Sequence, residues 1–313
     1  FRMENENTPD SSASVVSPYF QAHATYLIPP TSLSIPSTAS YKYCETGDRT
    51  IKRIGQSYNL LSLLRRTSEL CTRNESIHPL IVAEGNLPLI PATYSVANQA
   101  LKILGTTLFD FAASAFDEFG SLERSEKWML IKNFHKHFSA LESNYRCMRH
   151  FPNREQMIFA GYTSYYEMEN IEDFFSDLPD KNKEEEGKKF LKSIHSESLR
   201  DHKVLRDSMN RLKPSDEEFY ALIGLTFWNV GDLSMSENLM NLSEKYRHRI
   251  LHELHLYYNE IRPQLEYSQR LGELLFMLIT YQICVLKMPV IFETFRLLDV
   301  FNDDSLVYEM MKS

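Results

Sequence analysis

The sequence predicts an all-α fold, a layered helical sandwich of about ten to twelve helices with one short β-hairpin. Three observations carry this. Glycine is scarce, with 10 in 313 residues. Apolar residues recur at intervals of three and four over long stretches, the spacing that places them on one face of a helix. A single stretch, Met157 to Glu167, abandons that spacing for an aromatic-rich run around Gly161, and reads as a two-stranded hairpin. With no repeat period visible, the helices are expected in layers rather than in a solenoid.

Residues 1–46 carry Ser, Thr, Pro and Asn without helical periodicity, including Pro29-Pro30 and Pro36, and are expected as a flexible linker. The remaining 47–313 are expected as one domain. Ile51, Ile54, Tyr58, Leu61 and Leu64 open its first helix, which runs to Cys71. A proline-marked loop follows, with Pro79, Pro88 and Pro91. The next helix spans 95–119, with Val96, Leu101, Leu104, Leu108, Phe111 and Ala115 on its inner face. Gly120 and Ser121 make a bend before a helix over 126–151. After the hairpin come a short amphipathic helix at 170–178 and the charged run 180–189, expected as an exposed loop leading into a helix over 190–212. Pro214-Ser215 starts the helix at 216–230, whose Glu217 and Glu218 suit the positive end of its dipole. Helices at 234–261 and 268–301 follow, the second interrupted at Pro289, and Asp303, Asp304 or Ser305 can cap a last short one.

A net charge of −8 gives no electrostatic reason to bind nucleic acid directly. Cys44, Cys71, Cys147 and Cys284 lie far apart, without the spacing of a disulfide framework or a zinc module. The amino terminus has no apolar core like that of a signal peptide. Leu274–Phe292 is the most apolar stretch, but Gln282, Lys287 and Pro289 interrupt it, so a buried helix is expected rather than a membrane span. The chain begins with Phe1 and reads as a fragment of something longer.

Two motifs narrow the reading. In FGSLERSEKWMLIK, Phe119, Leu122, Glu126, Leu130, Ile131 and Lys132 join one helix to the next. Near the chain end, Leu306, Val307, Tyr308, Glu309, Met310 and Met311 spell two apolar residues, any residue, Glu, and two apolar residues. Together they resemble the ligand-binding domain of nuclear hormone receptors, whose signature run and C-terminal activation helix have these patterns and this separation. Trp128 and the KNF at 132–134 look most like the large nematode supplementary group of that family. The likeness covers about 48–313, with Lys127 departing from the family's Gln and Glu126 standing for its Asp.

The resemblance implies a nuclear, ligand-regulated transcription factor that recruits coregulators, is not an enzyme, and has its zinc-bearing DNA-binding domain upstream. In the activation helix, 304–312, Leu306, Val307, Met310 and Met311 would be the apolar face. Glu309 and Lys132 would clamp the two ends of a partner's Leu-x-x-Leu-Leu helix, one facing unpaired N–H groups and the other unpaired C=O groups. The family's usual second lysine, five residues before the matched Phe, is here Ser114. A small lipophilic ligand would lie among Leu101, Leu108, Phe109, Phe134, Phe138 and Cys284, with no other cofactor, and a homo- or heterodimer would form through 268–290. From a different class comes a ligand-independent helical interaction module without a DNA-linked role, its interior filled by the chain's own 19 Phe, 17 Tyr and 12 Met.

Other signals carry less. Leu60–Leu64 and Leu271–Leu275 both fit Leu-x-x-Leu-Leu but are expected to be core. His252-Glu253-Leu254-His255 lacks the spacing of a zinc-protease helix, and it and His135-Lys136-His137 are expected on the surface. Asp216-Glu217-Glu218 lacks a third acid one turn later, and Asn302, Ser305 and Glu309 stand three and four apart where the magnesium triad of an isoprenoid synthase stands four and four.

Overall fold

A computed structural model describes residues 26–28, 49–73, 87–178, 180–230, 236–261, 266–297, 306, 309 and 310. Among them are eight α-helices: α1 Thr50–Cys71, α2 Tyr94–Ala115, α3 Arg124–His150, α4 Lys181–Leu212, α5 Asp216–Phe227, α6 Glu237–Ile261, α7 Tyr267–Val285 and α8 Met288–Leu297. Two 3-10 helices, Asp117–Ser121 and Met168–Phe175, accompany four strands: β1 Tyr26–Ile28, β2 Leu87–Pro91, β3 Met157–Phe159 and β4 Ser164–Glu167.

The middle of the sandwich is α3, which packs against α2, α4, α5, α7 and β3. From Glu126 to Ala140 no residue of α3 is fully exposed. α1 covers α2 and α5, and α6 in turn packs on α5 and α1. One large core joins these helices, and a smaller cluster under the sheet holds Leu89, Cys147, Phe151, Met157, Phe159 and Tyr165.

The hairpin forms where the aromatic alternation falls, with Met157 opposite Glu167, Ile158 opposite Tyr166 and Phe159 opposite Tyr165. The sheet is larger than expected, in the order β1-β2-β4-β3. β2 lies in the stretch read as a proline loop. Its Ile90 and Ala92 N–H groups donate to Thr163 and Tyr165 carbonyls of the hairpin. Pro88 points its missing N–H toward β4 before that pairing begins, and Pro91 points toward β1 after that pairing has ended. Neither proline therefore removes a ladder bond. β1 falls within the stretch read as linker.

Three other expectations change. The run at 180–189 is helix, capped by Asp180, which accepts from the Asn182 N–H at 2.9 Å. Glu184 sits between Lys181 and Lys188 at helical spacing, so the charges pair along the helix instead of opening a loop. Leu60 and Leu63 are 49% and 48% exposed, so only Leu61 of that leucine run is core. Leu274–Phe292 is not fully buried: Leu274, Met277, Leu278, Tyr281 and Val285 face the core, while Phe276, Ile279, Ile283, Leu286 and Val290 face outward. The break before Pro289 divides the segment into α7 and α8.

Buried ion pairs fix the helices relative to one another. Glu218 at the start of α5 is wholly enclosed. It receives Arg270 of α7 through two bonds of 2.8 Å, the Ser215 N–H at 2.8 Å and the Tyr258 hydroxyl of α6. Replacing Arg270 by Met strands this carboxylate and should cost about 3–5 kcal/mol in urea denaturation. Adding Glu218→Gln should recover part of that loss, and a cycle showing simple additivity would disprove the coupling.

Candidate functional site

The signature run is a corner. α2 ends because Phe116 turns extended, at φ −131° and ψ 110°. The ring of Phe116 then enters the core against Phe227 at 4.7 Å, Tyr246 at 5.1 Å and Trp228 at 5.2 Å. Phe119 follows onto Phe227 at 6.0 Å, and Leu122, Leu130 and Ile131 are buried in the same core. Glu126 tightens the first turn of α3 by accepting the Glu123 N–H at 3.1 Å. It also takes the hydroxyl of Ser236, just before α6.

Beyond this corner α2 and α3 pack against each other. Phe109 of α2 stacks on Trp128 of α3, with centroids 6.2 Å apart. Further along α3, Met129, Lys132, Lys136, Ser139 and Ala140 make a half-exposed face. The described part of the C-terminal segment, Leu306, Glu309 and Met310, is helical. Met310 is buried in the main core and lies over Gly105 of α2, its Cε 3.5 Å from where a Cβ would be. Leu306 packs on the same core, and Glu309 is half-exposed; Val307 and Met311 lie outside the described residues.

The expected ligand-lining residues divide. Leu108, Phe134 and Phe138 are sealed in the core, with Phe134 5.8 Å from Phe111 and 5.1 Å from both Phe138 and Phe227. Phe134 and Phe138 face away from Lys132 and Lys136 around α3. Leu101, Phe109 and Cys284 are half-exposed on α2 and α7. Ser114, at the family's lysine position, donates instead to Ser57 of α1 at 2.7 Å, while Arg53 of α1 donates to the Ser114 carbonyl and pairs with Asp117.

Known proteins share the sequence pattern and the fold of this chain. A sequence profile for the ligand-binding domain of nuclear hormone receptors matches residues 97–298, more than half of the chain. The chain belongs to this family. It is 26% identical over 281 residues to nuclear hormone receptor family member nhr-28 of Caenorhabditis elegans, covering 90% of this chain and 62% of that one. To nhr-86 of the same organism it is 27% identical over 196 residues, 62% of this chain and 47% of that one. The high zinc activated nuclear receptor protein of C. elegans matches at 23% over 257 residues, 80% of this chain and 60% of that one. Among solved structures, the Ultraspiracle ligand binding domain from Drosophila melanogaster superposes with a TM-score of 0.58 at 14% identity. That match covers 83% of this chain and 95% of the other, and supports the fold. The chain spans about three fifths of the length of the first of these relatives.

His135 of this receptor domain is not on the surface. It is buried on the core face of α3 with neither ring nitrogen partnered among the described residues. Burial, with Arg65 and Lys136 nearby, holds its pKa down from 6.5 to about 3. The folded state therefore refuses a proton that the unfolded chain accepts below about 6.5, and stability falls as pH drops through that window. Between pH 6.5 and 4.5 this histidine should account for about 2–3 kcal/mol of lost stability. His135→Leu should flatten that part of the pH profile; an unchanged slope would rule the assignment out.

Proposed function

We propose that this domain regulates transcription in the nucleus by taking up a lipophilic ligand and presenting a groove for the helix of a coregulator. It acts by binding rather than catalysis, and DNA is reached through a segment beyond this one. The single observation behind this reading is Met310 seated over Gly105, which holds the Glu309 turn against α2 on the helix that also carries the Phe109–Trp128 stack. A helix with Leu-x-x-Leu-Leu leucines needs an apolar trough and polar groups at its ends. Trp128 and Phe109 supply apolar wall, Glu309 supplies an acceptor for N–H groups, and Lys132 supplies a cation for carbonyls. Val307 and Met311 complete the apolar face of the activation helix in this reading.

We assign ligand uptake to the half-exposed side of α2, with Leu101 and Phe109, and to Cys284 of α7. Leu108, Phe134 and Phe138 then serve as the packed wall beneath. That wall, sealed by its own rings, also favours a second reading, in which partner binding proceeds without ligand.

The outward stripe of α7 and α8 is assigned to pairing with a second receptor domain. Phe276 is 66% exposed, and Ile279, Ile283, Leu286 and Val290 follow at helical spacing. An apolar stripe of this length normally marks an interaction site. One face of α7 is already spent on the main core and Phe295 of α8 on a smaller cluster, which argues against a membrane span for the segment.

Two experiments test these assignments. A fluorescent Leu-x-x-Leu-Leu peptide should bind, and Glu309→Ala should weaken it by about 0.5–2 kcal/mol, the usual worth of a lost cap. Unchanged affinity in that variant would remove Glu309 from the clamp. Light scattering should report a dimer that Ile279→Glu with Ile283→Glu reduces to monomer; a wild-type chain that stays monomeric at high concentration would end the pairing proposal.

A further inference from the structure

Two histidines of α6 have no task in the fold. His248 and His252 are both exposed and stand four residues apart, so their imidazoles leave the same side of the helix on consecutive turns. Neither makes a hydrogen bond or an ion pair among the described residues. Their neighbour His255 is engaged: its Nε2 meets the Asn259 amide nitrogen at 2.9 Å, and its ring lies 4.8 Å from that of Tyr267. His137 and His202 are likewise held, each on a backbone carbonyl.

The helix beneath the pair is fixed. Leu239, Ser243, Tyr246, Ile250, Leu254 and Tyr258 bury its opposite side in the protein, so the two rings project from a rigid base. The cations next to them in sequence are drawn elsewhere, Lys245 onto Glu118 and Arg249 over the ring of Tyr246 at 5.5 Å. Glu244, one turn before His248, is exposed and has no ion pair among the described residues, and it adds negative charge to this side.

Side chains on consecutive turns start from Cβ atoms about 5–6 Å apart. Two imidazoles so placed can converge on one ion that takes each nitrogen at about 2.0–2.1 Å. Among the described residues no three His, Cys, Asp or Glu are grouped to hold one ion, so a tetrahedral ion here keeps two positions for water. Imidazole nitrogen suits zinc, copper and nickel, whereas magnesium and calcium take oxygen.

We propose that His248 and His252 form a two-point surface site for a divalent cation of the zinc type, with water completing its coordination. The site lies on α6 and is independent of the coregulator and ligand assignments.

The test is isothermal titration of the chain with zinc chloride in a non-coordinating buffer, with magnesium chloride as the comparison. Zinc should bind and magnesium should give no binding heat. His248→Ala and His252→Ala should each weaken the tightest zinc equivalent by about tenfold or more, since even outer-shell partners of a metal are worth that much. Alanine favours an exposed helical position, so these variants keep the fold. His255→Ala should leave the affinity unchanged. No zinc binding by the wild-type chain, or wild-type affinity in the double variant H248A/H252A, overturns the site. Magnesium binding as tightly as zinc overturns it too, because the donors would then be carboxylates.

Discussion

The sandwich depends on how Phe116 is held. α2 and α3 are long, and the corner between them sets their angle together with the Phe109–Trp128 and Phe111–Phe134 stacks farther along. Phe116 and Phe119 fix that corner by inserting into a nest of rings from α5 and α6, in which Trp228 and Tyr246 stack at 4.7 Å. Aromatic contacts at such distances prefer particular orientations and add to the gain from burial. The Phe109–Trp128 stack, only one turn inside α3, takes its place from this anchor. A signature that reads as a helix boundary is thus a packing device that governs how two helices meet.

Around the corner, polar groups do the joining. Arg65 and Glu142 pair at 2.8 Å between α1 and α3, both nearly free of solvent, with the Tyr58 hydroxyl as a further donor. Glu69 at the end of α1 accepts the N–H groups of Tyr162 and Thr163, and Arg146 lies between the Phe159 and Tyr162 rings while donating to the carbonyls of Gly161 and Tyr162. The hairpin tip is therefore held from two helices at once. Arg206 is buried without a carboxylate and spends its charge on the Cys147 and Phe151 carbonyls where α3 ends, the negative pole of that helix. Pairs of this kind add little net stability in water, yet leaving one member unpaired is expensive, so they favour one arrangement over its alternatives.

Much of this was legible in the sequence because it is local. Helical spacing located the helices, the period switch at Met157 located the hairpin, and Gly120-Ser121 in the Phe119–Lys132 run located the bend between α2 and α3. What stayed hidden depends on partners far away in the chain. Nothing near Pro88 indicates that its missing N–H would fall beyond the end of β4. His135 sits in a polar tripeptide, and only the packing of other helices around α3 makes its side an interior. The approach of α1 turns Ser114 toward Ser57, away from the role its position suggests. The leucines at 60 and 63 and the stripe on α7 erred in the opposite direction, since apolar spacing identifies a face without saying what covers it.

One non-local contact also bears on how the chain is assembled. The first helical N–H groups of α1, at Thr50 and Ile51, have no cap nearby; the carboxylate of Glu253 on α6 accepts both, at 2.9 and 2.8 Å. A helix start without its acceptor frays, and this acceptor lies about 200 residues downstream. During synthesis α1 therefore emerges long before the group that completes it. This capped first turn can therefore form only after α6 has been made and packed, so α1, the first helix among the described residues, is completed late in synthesis.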